Sequence, residues 1–140
     1  MTNIEFTDHI SVSDYIELRK TVDFKTISQR QAETALKNYG FLIVAKRNDK
    51  TVGMTRLIFD GAYIAVLVDV IVLPEYQDHG IGKTMIEKAL TYLKTNMADD
   101  EQVLVMLMSA KDKEGFYEKL GFIKRPDDTY GAGMSQWLLK

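Results

Sequence analysis

One short segment contains the residues whose types and spacing point most clearly to chemistry: Gln77-Asp78-His79-Gly80-Ile81-Gly82-Lys83. It follows an apolar run that stops at Pro74, and it precedes an amphipathic pattern, so the two glycines fall where a helix begins. The first turn of a helix leaves backbone N–H groups unpaired and carries the positive end of the helix dipole. Glycine has no Cβ to hold a phosphate away from these groups, and Lys83 adds a positive charge. The segment therefore predicts an anion site.

Several nucleotide-binding motifs use the same physics with different spacings. The chain has neither GxxxxGK followed by Ser or Thr, nor GxGxxG followed by an acidic residue after the next strand. What remains is QxxGxG at residues 77–82. By itself this pattern is weak evidence, because glycine near a helix start is more often an ordinary turn residue.

A strand, a helix and a second strand must position this segment. From Ala62 onward, AYIAVLVDVIVL is apolar at nearly every position, which favours an interior strand covered on both faces. Residues 103–108 form another apolar run. Because the crossover between them is long, the two strands are expected to be parallel partners or splayed neighbours in parallel orientation. The helix between them has apolar residues at helical spacing: Ile81, Met85, Ile86, Ala89, Leu90 and Leu93.

The rest of the chain predicts shorter elements from caps, turns and β-type runs. They are a strand at residues 3–7, a helix capped by Ser11 or Ser13, a helix over residues 28–39 ending at Gly40, a hairpin turning at Asp49 and Lys50, and a final strand MSQWLL. Asp127 and Asp128 lie in the loop before that last strand, where they either attract a cationic substrate or are simply turn residues.

Composition excludes several kinds of protein and site. A chain of 140 residues, 46% hydrophobic and 27% charged, is expected to be one domain over residues 1–140. Without cysteine, and with only His9 and His79, we expect no metal. A net charge of −2 with scattered Lys and Arg argues against nucleic acid as a partner. No apolar run reaches about eighteen residues and no signal peptide is evident, so we expect a cytoplasmic protein without a membrane partner.

The QxxGxG pattern becomes more specific when joined to FYEKLGF at residues 116–122. With both motifs in this order, the sequence resembles the GNAT superfamily of acyl-CoA-dependent N-acetyltransferases, whose signature Q/R-x-x-G-x-G/A lies between a strand and a long helix. The resemblance covers most of the chain. It implies an α/β fold of mixed α+β type, with a central, mixed and splayed β-sheet of about six to seven strands flanked by about four helices.

The resemblance also implies roles for particular residues. In that family the CoA pyrophosphate lies on the signature loop, the pantetheine arm runs beside the preceding strand, and a strand N–H, here that of Val70, faces the thioester carbonyl. Tyr117 matches a tyrosine that protonates the leaving thiolate in many relatives, although it is also an aromatic residue that packs against its neighbours. The implied acetyl-CoA-binding residues are Val70, Ile71, Val72, Gln77, Asp78, His79, Gly80, Ile81, Gly82 and Lys83.

The general base is where the chain departs from the family. A glutamate often precedes the Asp69 position in relatives, but Val68 stands there. Ala110 likewise replaces an asparagine that often binds the pantetheine arm. A carboxylate within VLVDVIV is costly to bury unless it is paired. Asp69 is therefore either a catalytic group that takes the substrate proton directly or through water, or a structural acceptor satisfied by backbone donors.

Together these features predict an N-acetyltransferase that moves an acetyl group from acetyl-CoA to a primary amine by direct attack in a ternary complex. The acceptor is a small amine, a polyamine, an amino sugar or a protein lysine. A non-catalytic acyl-CoA-binding sensor with the same fold is the alternative. Relatives are often dimers, so the resemblance also allows a homodimer.

Overall fold

The structure, a computed structural model, describes residues 3–140. The described chain divides after Met108 into two compact units. The first contains the β-sheet and three α-helices, and the second contains one short α-helix. That residues 1–140 behave as a single domain stays a prediction. Within residues 3–140, no helix has both the length and the apolar character needed to cross a bilayer.

The sheet has five strands in the order β1-β2-β3-β4-β5, antiparallel except for the parallel pair β4–β5. This confirms the mixed α/β fold class, although the described residues form fewer strands than expected. The elements are β1 Glu5–Thr7, α1 Val12–Thr21, α2 Gln29–Ala35, β2 Phe41–Arg47, β3 Lys50–Phe59, β4 Ile64–Val72, a 3-10 turn Pro74–Tyr76, α3 Ile81–Thr95, β5 Leu104–Leu107 and α4 Glu114–Glu118.

Both early helices begin at a serine. The Ser11 hydroxyl accepts a hydrogen bond from the Asp14 N–H at 3.0 Å, so Ser11 rather than Ser13 caps α1. Ser28 caps α2 in a reciprocal capping box with Gln31. Each cap satisfies donors that a helix start would otherwise leave unpaired, a contribution of about 1 kcal/mol.

The expected end of α2 at Gly40 is wrong, because the α-helix stops at Ala35. Gly40 lies against β3 instead: its N–H donates to the Leu57 carbonyl at 2.8 Å. A Cβ at this position would lie only 2.7 Å from the Phe59 Cβ. Glycine is therefore needed here for close approach to a strand, not for a helix cap.

The hairpin between β2 and β3 turns one residue earlier than expected. Asn48 and Asp49 have φ values of 49° and 65°, whereas Lys50 already belongs to β3. Two successive left-handed residues are typical of the type I′ turn, whose twist matches that of paired strands.

Strand β4 and helix α3 form the part of the fold that supports the candidate site. No residue of β4 is exposed, as expected for an interior strand. Helix α3 packs on the sheet through five buried side chains at the predicted spacing: Ile81, Met85, Ile86, Ala89 and Leu93. Full burial of an Ile, Leu or Met side chain stabilises by about 1.5–3 kcal/mol. The start of α3 is therefore firmly anchored.

The final strand expected at residues 134–139 is not formed. A strand exists only where a neighbouring ladder accepts and donates its hydrogen bonds, and this segment joins no strand of the described sheet. Its apolar side chains are largely exposed, with Met134 at 92% and Leu138 at 87%.

Candidate active site

A β-bulge interrupts β4. The register between β3 and β4 shifts between Met54 and Arg56, where Asp69 and Val70 together lie opposite Thr55 alone. Asp69 has a φ of 52°, in the left-handed region that non-glycine residues rarely adopt. A bulge leaves the backbone groups of its extra residue outside the ladder. Val70 is thus one of the two residues at which the ladder between β3 and β4 is interrupted.

Beyond the bulge, β4 runs past the end of its parallel partner. The β4–β5 ladder covers only Ile64–Leu67 against Leu104–Leu107. From Val68 to Val72, β4 has no strand partner on its β5 side among residues 3–140. This is the splay expected from the sequence. The open edge offers backbone donors and acceptors to an extended ligand, which would bind as an added strand would.

The open edge leads directly into the glycine segment. The 3-10 turn Pro74–Tyr76 follows β4, and the Gln77 Nε2 donates back to the Val72 carbonyl at 2.9 Å. This bond attaches the loop to the strand end. Gly80 then takes the N-cap position of α3 with a φ of 80° and no side-chain cap, so the amides of the first turn are not bonded by a capping side chain. Such amides and the helix dipole together favour an anion.

Three side chains of this segment face solvent. Asp78, His79 and Lys83 are exposed, and Lys83 Nζ lies 3.8 Å from the Glu87 carboxylate. An exposed pair of this kind contributes about 0.3–0.5 kcal/mol. Lys83 can therefore exchange Glu87 for a bound phosphate at little cost.

Asp69 is buried, and its carboxylate accepts hydrogen bonds from three side chains. The Tyr15 hydroxyl donates to Oδ2 at 2.7 Å, Arg19 Nη1 donates to Oδ1 at 3.0 Å, and Arg56 Nε donates to Oδ2 at 2.9 Å. Only 6% of the Asp69 side chain is accessible. Asp69 is therefore a paired acceptor in the structure, while its catalytic role stays a prediction. The expected backbone donors are wrong, because α1 and β3 bring side-chain donors to it instead.

The same arginines also bond to backbone carbonyls outside the sheet. Arg19 Nη2 donates to the Lys25 carbonyl at 2.6 Å, after the end of α1. Arg56 Nη1 lies 3.3 Å from the Ala35 carbonyl, at the end of α2. Burial raises the pKa of Tyr15, and its hydrogen bond to Asp69 raises that pKa further. We name Asp69, Tyr15, Arg19 and Arg56 the Asp69 cluster.

Sequence reasoning missed the three partners of Asp69. Tyr15 and Arg19 are four residues apart, so they share one face of α1, and this spacing was the only local signal. Arg56 lies in β3 within an otherwise uncharged run, TVGMTRLIF. A charged residue inside such a run requires a partner, but the sequence does not identify it.

Tyr117 lies in the second unit, on α4. The centroid of its ring lies 5.0 Å from that of Phe116 and 6.1 Å from that of Phe122, and both pairs are arranged edge to face. Burial raises the pKa of Tyr117 above its ordinary value of 10.0. The residue therefore packs as an aromatic and also holds its proton well above neutral pH, as a general acid for a thiolate must.

Asp127 is an exposed turn residue. Its Oδ1 accepts hydrogen bonds from the Thr129 and Tyr130 N–H groups at 2.8 and 2.7 Å. These backbone donors hold the pKa of Asp127 below its usual range. Asp128 is exposed as well. These hydrogen bonds account for an aspartate at position 127 without any role in substrate binding. The charge of Asp128 is instead open to solvent.

The described residues, 3–140, contain no group of three or more His, Asp or Glu side chains arranged to hold a metal ion. The two histidines, His9 and His79, are both exposed.

Comparisons with known proteins agree with this geometry. The family model of the acetyltransferase (GNAT) domain matches residues 38–124. An uncharacterised N-acetyltransferase from Pyropia yezoensis is 31% identical over 139 residues, covering 91% of this chain and 78% of that protein. A probable acetyltransferase of unknown function from meticillin-resistant Staphylococcus aureus has a TM-score of 0.83 at 27% identity, covering 96% of this chain and 99% of that one. A GNAT family protein from Streptococcus pneumoniae has a TM-score of 0.78 at 28% identity, covering 99% and 98%.

Proposed function

Because the chain belongs to the GNAT family of acetyltransferases, we propose that it moves an acetyl group from acetyl-CoA to a primary amine by direct attack in a ternary complex. One observation carries this proposal: the open edge of β4 beyond Leu67 contains a bulge and leads to the uncapped start of α3. An extended arm fits the edge, a thioester carbonyl fits the bulge and a pyrophosphate fits the helix start.

Acetyl-CoA supplies the activated acetyl group, and the chain supplies its binding groups. The amides of residues 77–83 bind the pyrophosphate, while Val70 and Val72 offer backbone groups to the pantetheine arm. Since the Val72 carbonyl already accepts from Gln77 at 2.9 Å, only its second lone pair is left for a ligand. The Val70 N–H stabilises the negative charge that develops on the thioester oxygen, an effect of about 10²–10³ in kcat for one donor.

The proton steps follow from the two bonds that change. The amine lone pair forms the new C–N bond as the C–S bond breaks. Tyr117 donates its phenolic proton to the departing sulfur, and the proton lost by the attacking nitrogen passes to a base or to water. That Asp69 is this base stays a prediction. Its carboxylate already accepts hydrogen bonds from Tyr15, Arg19 and Arg56, which occupy three of its roughly four lone-pair positions.

The acceptor is a cation in solution, so its amine must lose a proton before it attacks, and the rate rises with pH. Asp128, exposed beside the Asp127 turn, is suited to attract this charge. The test is a panel of small amines, polyamines, amino sugars and lysine peptides with acetyl-CoA, followed by free thiol release.

Thiol release that depends on one class of amine supports the transferase. Tight acetyl-CoA binding without turnover on any amine would instead favour the non-catalytic sensor. If acetyl-CoA does not bind, both the transferase and the sensor hypothesis are wrong.

A further inference from the structure

Three features of the Asp69 cluster distinguish it from an ordinary buried ion pair. It is centred on the bulge residue, it joins two guanidinium groups to one carboxylate, and its carboxylate oxygens already accept bonds from three side chains. A general base needs a free lone pair directed at its substrate. These contacts suit Asp69 for holding backbone in place better than for exchanging protons.

The backbone at Asp69 needs such support. Its φ of 52° lies in the left-handed region, which is disfavoured by about 5- to 30-fold for most residues with a Cβ and which Asp and Asn adopt more readily. Strained conformations of this kind persist only where the surroundings determine them. The hydrogen bonds from Tyr15, Arg19 and Arg56 fix the carboxylate from both α1 and β3, so they fix the bulge as well.

The next residue in the chain is Val70, whose N–H we assign to the thioester oxygen. The direction of this N–H is determined by the peptide that joins it to Asp69, because that peptide is planar. Rotation at Asp69 would turn the donor away from the oxygen. A misplacement of about 1 Å in such a group lowers rate by about 10²-fold.

We propose that Asp69, Arg19 and Arg56 are positioning residues, which hold the β4 bulge so that the Val70 N–H faces the thioester carbonyl. This inference rests on the proposed acetyl transfer. It differs from the proton-relay hypothesis for Asp69 because it assigns the catalytic contact to the Val70 backbone. The arginine bonds to the Lys25 and Ala35 carbonyls extend the same support to α1 and α2.

The two roles are separated by comparing Asp69→Gly with Asp69→Ala. Both substitutions remove the carboxylate and leave the same two guanidinium groups without it. Glycine adopts a positive φ without strain, whereas alanine resists it. Positioning therefore predicts that kcat is about 5- to 30-fold higher in Asp69→Gly than in Asp69→Ala. A proton relay predicts that the two variants are equally impaired.

Asp49 provides the matched control. It is also an aspartate with a positive φ, 65°, but it lies exposed in the hairpin turn. Asp49→Gly and Asp49→Ala should differ in thermal stability and share the wild-type kcat. The two Asp49 variants should also keep the wild-type affinity for CoA in calorimetry, since Asp49 lies in the hairpin turn and the pyrophosphate is bound by residues 77–83.

A second readout requires no turnover. In ¹⁵N-labelled protein, acetyl-CoA should shift the Val70 amide resonance more than CoA does, both in the wild type and in Asp69→Gly, but less in Asp69→Ala. If the wild type shows this shift but no amine releases thiol, the proposed transferase function is wrong. The comparison of the shifts in Asp69→Gly and Asp69→Ala still tests the positioning role in that case. If the wild type turns over but the Gly and Ala variants have equal kcat and equal shifts, the positioning role is overturned.

Asp69→Asn keeps the proposal testable if Asp69→Ala does not fold. Asparagine tolerates a positive φ, and its amide oxygen still accepts a hydrogen bond. We expect kcat within about tenfold of the wild type and an unchanged pH dependence. Loss of the limb that rises with pH would make Asp69 the proton acceptor and would overturn the proposal.

Discussion

Replacing Gly82 by valine should abolish tight CoA binding without unfolding the protein. Gly82 is the second residue of α3, and it is not among the glycines with a positive φ, so a helical valine fits its backbone. Valine is a better helix former than glycine by a few tenths of a kcal/mol. The free energy of unfolding should therefore stay the same or rise slightly.

The expected loss of affinity follows from the uncapped start of α3. A branched side chain at Gly82 keeps the pyrophosphate away from the first-turn amides. Loss of two hydrogen bonds to a charged group, at about 1.5–3 kcal/mol each, amounts to about 3–6 kcal/mol. Since about 1.4 kcal/mol corresponds to a tenfold change, the Kd for CoA should rise by about 10²- to 10⁴-fold.

Calorimetry with CoA measures this Kd, and thermal unfolding measures stability. Thr91→Val is the control, because Thr91 is an exposed residue of the same helix and lies far along it from the loop. It should bind CoA as the wild type does. An unchanged Kd in a folded Gly82→Val protein would show that the pyrophosphate does not lie on residues 77–83.

Other predictions concern Tyr117 as the proposed general acid and the close packing of Gly53 against Ile71 of β4. Tyr117→Phe should lower kcat by about tenfold to a thousandfold with CoA affinity intact, and full activity in this variant would leave Tyr117 only a packing role. Burial raises the pKa of Tyr117 above 10.0, so the phenol keeps its proton as pH rises. At pH values below 10, ionisation of Tyr117 should therefore not reduce the wild-type kcat. Gly53→Ala should lower the free energy of unfolding by about 1–3 kcal/mol in urea titration, because its Cβ would lie 2.8 Å from the Ile71 carbonyl oxygen. Gly133→Ala, with no atom within 4 Å of the added Cβ, should change little, and equal losses in the two variants would contradict this packing.

Local sequence signals predicted the parts of the fold that local interactions determine. Ser11 and Ser28 act within one helical turn, and the apolar spacing of α3 matches the face it buries. The strand, loop and helix around residues 77–83 followed from the same patterns. The caps, the loop and the helix do not depend on distant partners, so local patterns were enough for them.

Features that depend on distant residues were missed. The partners of Asp69 lie 54, 50 and 13 residues away in the chain, so no short pattern reveals that they meet. The left-handed φ of Asp69 had no glycine to signal it. For residues 134–139, apolar content predicted a strand, but a strand also needs a paired neighbour.

The most direct test of acetyl transfer at this site is a single-turnover measurement with an active amine, in which free CoA thiol and acetylated amine are counted together. Direct attack in a ternary complex predicts that the two products form at the same rate in a one-to-one ratio, and only when amine and acetyl-CoA are both bound. Thiol released without amine, or without an equal amount of acetylated amine, would contradict direct attack in a ternary complex and indicate hydrolysis or an acyl-enzyme instead.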